Sequence, residues 1–286
     1  MTVGLLISGE LGNIALKYFV KNYNIKFVLT DKSSKKIIEF CKNNKTPIFI
    51  GNPRTDEIRH FIIDKKCEII ASINYIYIIK KNIINLAEGL CFNIHGSLLP
   101  KYRGRTPHIW AIINDEKETG ITAHIIDEGC DTGGIIDQIK IIINENDTGW
   151  DILEKYKILY IPLIKSVLSK YTSNSISIIP QDEENATFFP KRTPKDGIIN
   201  WNWNSKRIIN WIRAQSNPYP GAFCFYKNEK IIIDKATIIH IENIEYKKNG
   251  TIICSNPIIV KTKDSTLKLE TIRHNYIKLE INEILF

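Results

Sequence analysis

Two periods of apolar residues succeed one another along the first half of the chain. Residues 3–8 (VGLLIS) are a continuous apolar run closed by Gly9 and Gly12, and LKYFVKNY then repeats its apolar residues at helical spacing. KFVLT at 26–30 reads as a second strand, ended by the turn Asp31-Lys-Ser-Ser, and KKIIEFCKNN as a second helix. TPIFIG is strand-like, RTDEIRHFIIDKK is an amphipathic helix starting near Thr55, and CEIIASIN is a further strand. Strands that alternate with helices predict an open, mostly parallel, Rossmann-like α/β sheet. Ligands of such sheets bind beyond the carboxyl ends of the strands. The strand LCFNI carries Asn93 and His95 to that edge, where Gly96 and Pro100 force a loop.

Downstream, TPHIWAIIND predicts a helix after Pro107, TGITAHIID a strand, EGCDTGG a Gly-rich turn and IIDQIKIII another strand. The longest helical pattern, DTGWDILEKYKILYIPLIKSVLSKY, has Asp147 or Thr148 as its cap. After about residue 172 the texture changes to a polar, Pro-containing connector. One short helix (SKRIINWIRAQS) then precedes PYPGAF and a series of strand-like runs: AFCFY, KIIIDKATIIHI, GTIICS, PIIVKTK and STLKLETI. The division expected is a catalytic α/β domain at 1–180, a linker at 181–200 and a small β-rich, OB-like domain at 201–286.

Composition changes this picture little. At 286 residues and 43% hydrophobic, the chain can bury a sizeable core. Its apolar runs are broken by Asn and Glu, which argues against a membrane span, and the N-terminus has no basic leader, so a cytoplasmic protein is expected. Six scattered cysteines without a C-x-x-C pair suit reduced thiols rather than disulfides or zinc. The net charge of +8 would suit nucleic acid or an anionic small substrate alike.

Candidate chemistry collects between Cys91 and Asp131. Asn93 and His95 alternate with Phe92 and Ile94 and so share one strand face. An amide donor can meet a developing oxyanion, an imidazole can take a proton from an amine, and Asp131 can set the state of that imidazole. Taken alone, the Asn-x-His pair reads better as a turn-capping Asn with a surface His, and Asp131 could equally be an ordinary turn Asp. His124 reads as a core histidine, and His108, after Pro107, as structural or substrate-facing. The histidines lack metal-ligand spacing, so no metal site is expected. Gly9-Glu-Leu-Gly12 lacks the G-x-G-x-x-G of dinucleotide sites. Lys101, Arg103 and Arg105 form a basic cluster, either a solvated loop or a trap for carboxylate or phosphate.

Taken together, F-N-I-H-G-S-L-L-P-K-Y-R-G-R-x-P and the downstream H-I-I-D-E-G-C-D-T-G-G resemble the formyltransferase family that uses 10-formyltetrahydrofolate. FFPKRTPKDGIINW and IRAQSNPYPGAF are similar to that family's linker and C-terminal domain, so the resemblance covers nearly the whole chain. It implies a catalytic trio of Asn93, His95 and Asp131, with 10-formyltetrahydrofolate as cosubstrate. It implies a folate site at Tyr77, Ile78, Ile79, Arg105 and the turn Asp127, Glu128, Gly129, Cys130 and Asp131, with Tyr75 and Ile94 lining the pocket.

Two branches compete for the acceptor. The methionyl-tRNA enzymes of the family carry a long basic insertion after the second strand, whereas LTDKSSKKIIEFCKNN runs straight from strand to helix. KYRGRTPHIW also follows the amino-sugar branch. The resemblance thus implies an N-formyltransferase acting on a UDP- or dTDP-linked 4-amino- or 3-amino-deoxysugar for surface polysaccharide synthesis, with methionyl-tRNA formyltransferase as the alternative. Lys101, Tyr102, Lys191, Arg192, Trp201 and Tyr219 are the candidates for substrate contacts by charge pairing and stacking, although the aromatics could equally be core. No nucleic acid or membrane partner is expected, and the family's sugar enzymes suggest a homodimer. A hydrolytic relative, which releases formate with a similar trio, is the reading from a different class.

Overall fold

In the computed structural model, which describes residues 1–273 and 278–286, the apolar runs of the first half become one seven-stranded sheet. Its strands are β1 (Thr2–Ile7), β2 (Asn24–Thr30), β3 (Ile48–Ile50), β4 (Cys67–Ile73), β5 (Ala87–His95), β7 (Glu118–Ile125) and β8 (Ile135–Ile142), in the order β3-β2-β1-β4-β5-β7-β8. A short parallel pair joins β6 (Arg103–Gly104) to β9 (Phe188–Phe189). The first five strands of the large sheet pair in parallel, as their near-continuous apolar sequences predict. β5 then pairs antiparallel with β7, so the sheet is mixed from that point.

The helices are α1 (Gly9–Asn22), α2 (Lys35–Asn43), α3 (Glu57–Ile62), α4 (Lys81–Ile84), α5 (Pro107–Ile113), α6 (Gly149–Thr172) and α7 (Ser205–Ala214). α1 runs through both Gly9 and Gly12, earlier than the apolar spacing alone predicts. The reason is packing. A Cβ at Gly12 would lie 3.0 Å from Ile7 Cβ and 3.3 Å from Ile37 Cδ1, so glycine lets the helix close onto β1 and α2. α6 is capped at Thr148, whose hydroxyl and Asp151 exchange backbone N–H bonds.

The chain forms two units, one of residues 1–104, 120–141 and 155–189, the other of 105–119, 142–154 and 190–286. A core of Leu6, Phe27, Leu29, Ile58, Cys67, Ile70, Ile83 and Cys91 holds the first. These residues come from both the strands and the helical segments, which ties the sheet to its flanking layer.

The second unit contains a five-stranded antiparallel sheet of β10 (Ala222–Tyr226), β11 (Glu229–Ile239), β12 (Ile252–Ser255), β13 (Ile258–Lys261) and β14 (Thr266–Ile272), ordered β10-β11-β14-β13-β12. Its outermost strands do not stay apart. Phe286 exchanges two backbone hydrogen bonds with Phe225 of β10, and Ile252 of β12 bonds to Glu283 and Asn282. The terminal segment therefore links both sides of the sheet into a barrel-like arrangement, in keeping with the OB-like domain expected. Among the described residues no helix is long and apolar enough to cross a membrane.

Candidate active site

The site lies in the first unit, where β5 ends. Register decides what meets there: Asn93 sits opposite His124 and His95 opposite Thr122 across the antiparallel β5–β7 pair. Thr122 shapes the loop that follows β5. Its hydroxyl donates to the Ser97 carbonyl (2.6 Å), while the Leu99 amide donates to it (3.1 Å). Tyr156 on α6 anchors the same loop by donating to the Gly96 carbonyl at 3.0 Å.

His95 is 7% exposed. Its Nε2–H donates to the Tyr102 carbonyl (2.7 Å), and its Nδ1 lies 3.5 Å from Asp131 Oδ2. That second contact is of ion-pair length, longer than a good hydrogen bond. Asp131 Oδ2 also accepts the Gly104 amide at 3.0 Å, and its Oδ1 lies 3.6 Å from His124 Nε2. Burial alone would raise this carboxyl. His95, His124 and the Gly104 amide together outweigh it, and hold Asp131 far below the usual carboxylate range. The carboxylate is thus anionic and enclosed.

The turn that presents Asp131 is braced on several sides. Asp127 Oδ1 accepts the Gly129 amide (3.0 Å) and the Thr132 hydroxyl (2.7 Å). Gln181 Nε2 donates to the carbonyls of Asp131 and Gly133, each at 2.8 Å. A Cβ at Gly133 would lie 2.0 Å from the Ile125 carbonyl oxygen, so only glycine lets the turn close against β7. Asp131 (φ 58°) and Tyr102 (φ 62°) both hold left-handed backbone, at a cost of about 1–2 kcal/mol each. Residues kept in such conformations gather at sites where geometry matters more than comfort.

The three residues expected to act together are therefore brought together. Of the positions expected to hold folate, Ile78 is 54% exposed, Tyr77 and Ile79 are half-buried, and Tyr77 meets Tyr75 edge-to-face at 5.6 Å. The Tyr75 hydroxyl is buried without a partner among the described residues. Exposed isoleucines beside an orphaned hydroxyl fit a flat heterocycle with an apolar face and a polar edge. Glu128 is paired with Lys81 (2.8 Å), and Cys130 is exposed beside Asp131. Ile94, in contrast, is 2% exposed and belongs to the core. Arg105 is exposed and falls in the second unit.

The positions expected to touch substrate divide. Lys101 and Lys191 are exposed. Tyr102 is 7% exposed with its ring stacked on Phe189 at 4.9 Å, and the part of it that reaches the site is its carbonyl. Trp201 is 4% exposed, so the stacking platform expected there is corrected to a core residue of the second unit. Arg192 is also corrected: its guanidinium lies over Trp110 (4.9 Å) and Trp211 (4.2 Å) and donates to Asp196 O and Gln215 Oε1. Tyr219 shares a 3.1 Å hydrogen bond with His108, whose imidazole burial pushes down to about 4. Arg103 is no anion trap; Glu183 and Gln181 already occupy it.

Sequence reasoning missed His124, Gln181, the Tyr102 carbonyl and the Gly104 amide. The first had a visible signal: Thr122 and His124 are polar residues at alternate positions of an otherwise apolar strand. The others act through backbone or from a distant connector, and leave no local pattern. Among the described residues no group of three or more His, Cys, Asp or Glu is placed to hold a metal ion.

Comparisons with known proteins converge. Residues 20–160 match the formyl transferase family model, and residues 191–285 match the model of the formyl transferase C-terminal domain. The bifunctional polymyxin resistance protein ArnA of Wigglesworthia glossinidia brevipalpis is 35% identical over 270 residues, which cover 91% of this chain and 41% of that protein. The chain thus spans well under half the length of that relative. Among solved structures, WlaRD, a sugar 3N-formyl transferase in the presence of dTDP and 5-N-formyl-THF, superposes with TM-score 0.67 at 26% identity over 97% of this chain and 99% of WlaRD. The N-formyltransferase from Helicobacter canadensis, in complex with folinic acid and dTDP-3-aminofucose, gives TM-score 0.67 at 25% identity over 94% and 98%.

Proposed function

Because this chain belongs to the formyl transferase family, we propose that it transfers the formyl group of 10-formyltetrahydrofolate to the amine of a UDP- or dTDP-linked 3-amino- or 4-amino-deoxysugar. The observation that carries this reading is the contact of His95 with Asp131 at 3.5 Å beside Asn93, at the carboxyl end of β5. The 5-N-formyl-THF and dTDP of one solved relative, and the folinic acid and dTDP-3-aminofucose of the other, support the choice of donor and acceptor class.

The reaction makes a carbon–nitrogen bond to the sugar amine and breaks one to the folate nitrogen. The amine loses a proton, the folate nitrogen gains one, and negative charge gathers meanwhile on the formyl oxygen. Asn93 offers an amide N–H to that oxygen, and His95 adds an imidazole held in place by the Tyr102 carbonyl. His95 Nδ1 and Asp131 Oδ2 would oppose two lone pairs unless a proton sat between them. A proton held there can be given to the leaving folate nitrogen, and the position it vacates then takes the amine's proton.

One structural relationship favours a sugar over tRNA. β2 ends at Thr30 and α2 begins at Lys35, so only residues 31–34 connect them and no long basic loop is present there. The product would enter surface polysaccharide synthesis.

The test is turnover with purified protein and 10-formyltetrahydrofolate, offered UDP-, dTDP- and GDP-linked amino sugars beside charged initiator tRNA. The expected result is tetrahydrofolate release with a gain of one formyl group in the mass of a sugar nucleotide. Formylation of the tRNA alone would select the other branch, and formate release without an acceptor would select hydrolysis.

A further inference from the structure

Resting on the reading of Asn93 as a donor to the formyl oxygen, we propose that His124 is a positioning residue that fixes which end of the Asn93 carboxamide faces the reacting group. His124 is 3% exposed and lies directly opposite Asn93 in the β5–β7 register. Its Nδ1–H donates to the Ile125 carbonyl at 2.7 Å, the tautomer that partner requires. In the neutral ring Nε2 then presents a lone pair, and it lies 3.1 Å from Asn93 Nδ2.

An asparagine side chain is nearly symmetric in shape, and packing alone does not tell its oxygen from its nitrogen. A lone pair at Nε2 does. With Nδ2 toward His124, one N–H is donated to the ring and the second N–H on the same nitrogen stays available to an oxyanion. The flipped carboxamide would set Oδ1 against the Nε2 lone pair, leaving a buried repulsion where a hydrogen bond stood. The same Nε2 lies 3.6 Å from Asp131 Oδ1, so the ring also fills the space beside the carboxylate. His124 touches two of the three reacting residues, and its effect on catalysis passes through them.

A histidine that only fills space would be replaced well by phenylalanine. A histidine that orients Asn93 would be replaced better by glutamine, whose terminal amide reaches about where Nε2 stands. The experiment measures kcat and KM for donor and acceptor in His124→Phe, His124→Gln, Asn93→Ala and the Asn93→Ala/His124→Phe double variant, with the ring tautomer of the unmodified protein read by nitrogen-15 NMR. We expect His124→Phe to lower kcat by about 10- to 100-fold with both KM values within about threefold, less than the roughly 10²–10³ for removing an oxyanion donor outright, because Asn93 keeps its amide. His124→Gln should recover most of the loss, and the double variant should be no more than about twofold slower than Asn93→Ala, because the two residues act as one unit.

Near-normal kcat in His124→Phe, losses that multiply in the double variant, or no recovery with glutamine would each overturn the proposal. So would an Nε2–H tautomer in the unmodified protein, a result that needs no variant to fold. Full activity in Asn93→Ala would instead remove the underlying reading of the site, which keeps the two failures distinct.

Discussion

Arg103 and Glu183 form a forked ion pair, Nη1 to Oε2 at 2.8 Å and Nη2 to Oε1 at 2.7 Å, between a buried guanidinium and an exposed carboxylate. The same guanidinium donates to Gln181 Oε1 through Nε (3.1 Å) and Nη2 (2.8 Å), and Gln181 in turn holds the Asp131 and Gly133 carbonyls. A residue that the sequence offers as an anion trap is thus a brace for the turn that carries Asp131. Arg103→Lys keeps the charge but cannot fork to both partners. We expect a fall in kcat of about tenfold, the order of a 1.4 kcal/mol loss of orientation, with faster amide exchange across 127–134. Unchanged exchange there would detach Arg103 from the turn.

Asn93→Ala and His95→Ala should each lower turnover by about 10²–10³, the usual cost of one oxyanion donor or one general acid–base group. Circular dichroism should show both still folded, since neither removes a large apolar side chain. Rates near the parent in both would end the catalytic assignment.

Asp131→Asn should be impaired to a similar degree and should also change the acid limb of stability. The folded-state carboxyl is depressed, so its contribution is present above the ordinary carboxylate pKa and is lost as pH falls through and below that value. Urea unfolding at pH 7 and pH 3 should therefore show a smaller acid-induced loss in the variant than in the parent. Equal losses would mean that the carboxylate is not held by its neighbours.

Asp31 makes a second contribution of the same sign. Burial would raise it, but the Ser33 and Ser34 side chains and the Ser33 amide (2.8 Å) bring it down to about 2. Asp31→Asn should flatten the pH dependence of stability between about pH 4 and pH 2 with no change in kcat. An unaltered acid limb would contradict it.

Arg192→Ala tests a correction. Two indole faces and two hydrogen bonds hold the guanidinium. Losing them should cost about 2 kcal/mol of stability, seen as a lower Tm, while the KM for the nucleotide sugar stays within about twofold. A large rise in KM without a change in Tm would restore Arg192 as a substrate contact.

Much of this was legible beforehand because it depends on short-range pattern. The apolar runs at 3–8, 26–30 and 67–73 became parallel strands, and the alternation Phe92-Asn93-Ile94-His95 set two polar side chains on one face. What stayed hidden depends on register and on distant chain. Nothing local to T-G-I-T-A-H-I-I tells that His124 lies opposite Asn93, nor that Gln181, 50 positions beyond Asp131, bonds to that residue's carbonyl. Trp201 and Arg192 misled for a related reason: an aromatic or a guanidinium outside a periodic pattern looks the same whether it faces solvent or, as here, other side chains.

The pairing of Phe286 with Phe225 and of Glu283 with Ile252 bears on solubility as well as on shape. Outer strands with open N–H and C=O groups are templates on which a second chain can add, and β10 and β12 are shielded by these few residues. Shortening the chain by five residues would strip that cover from Phe225 and Ile252 together. It would open both strands to intermolecular strand addition, without touching Asn93, His95 or Asp131.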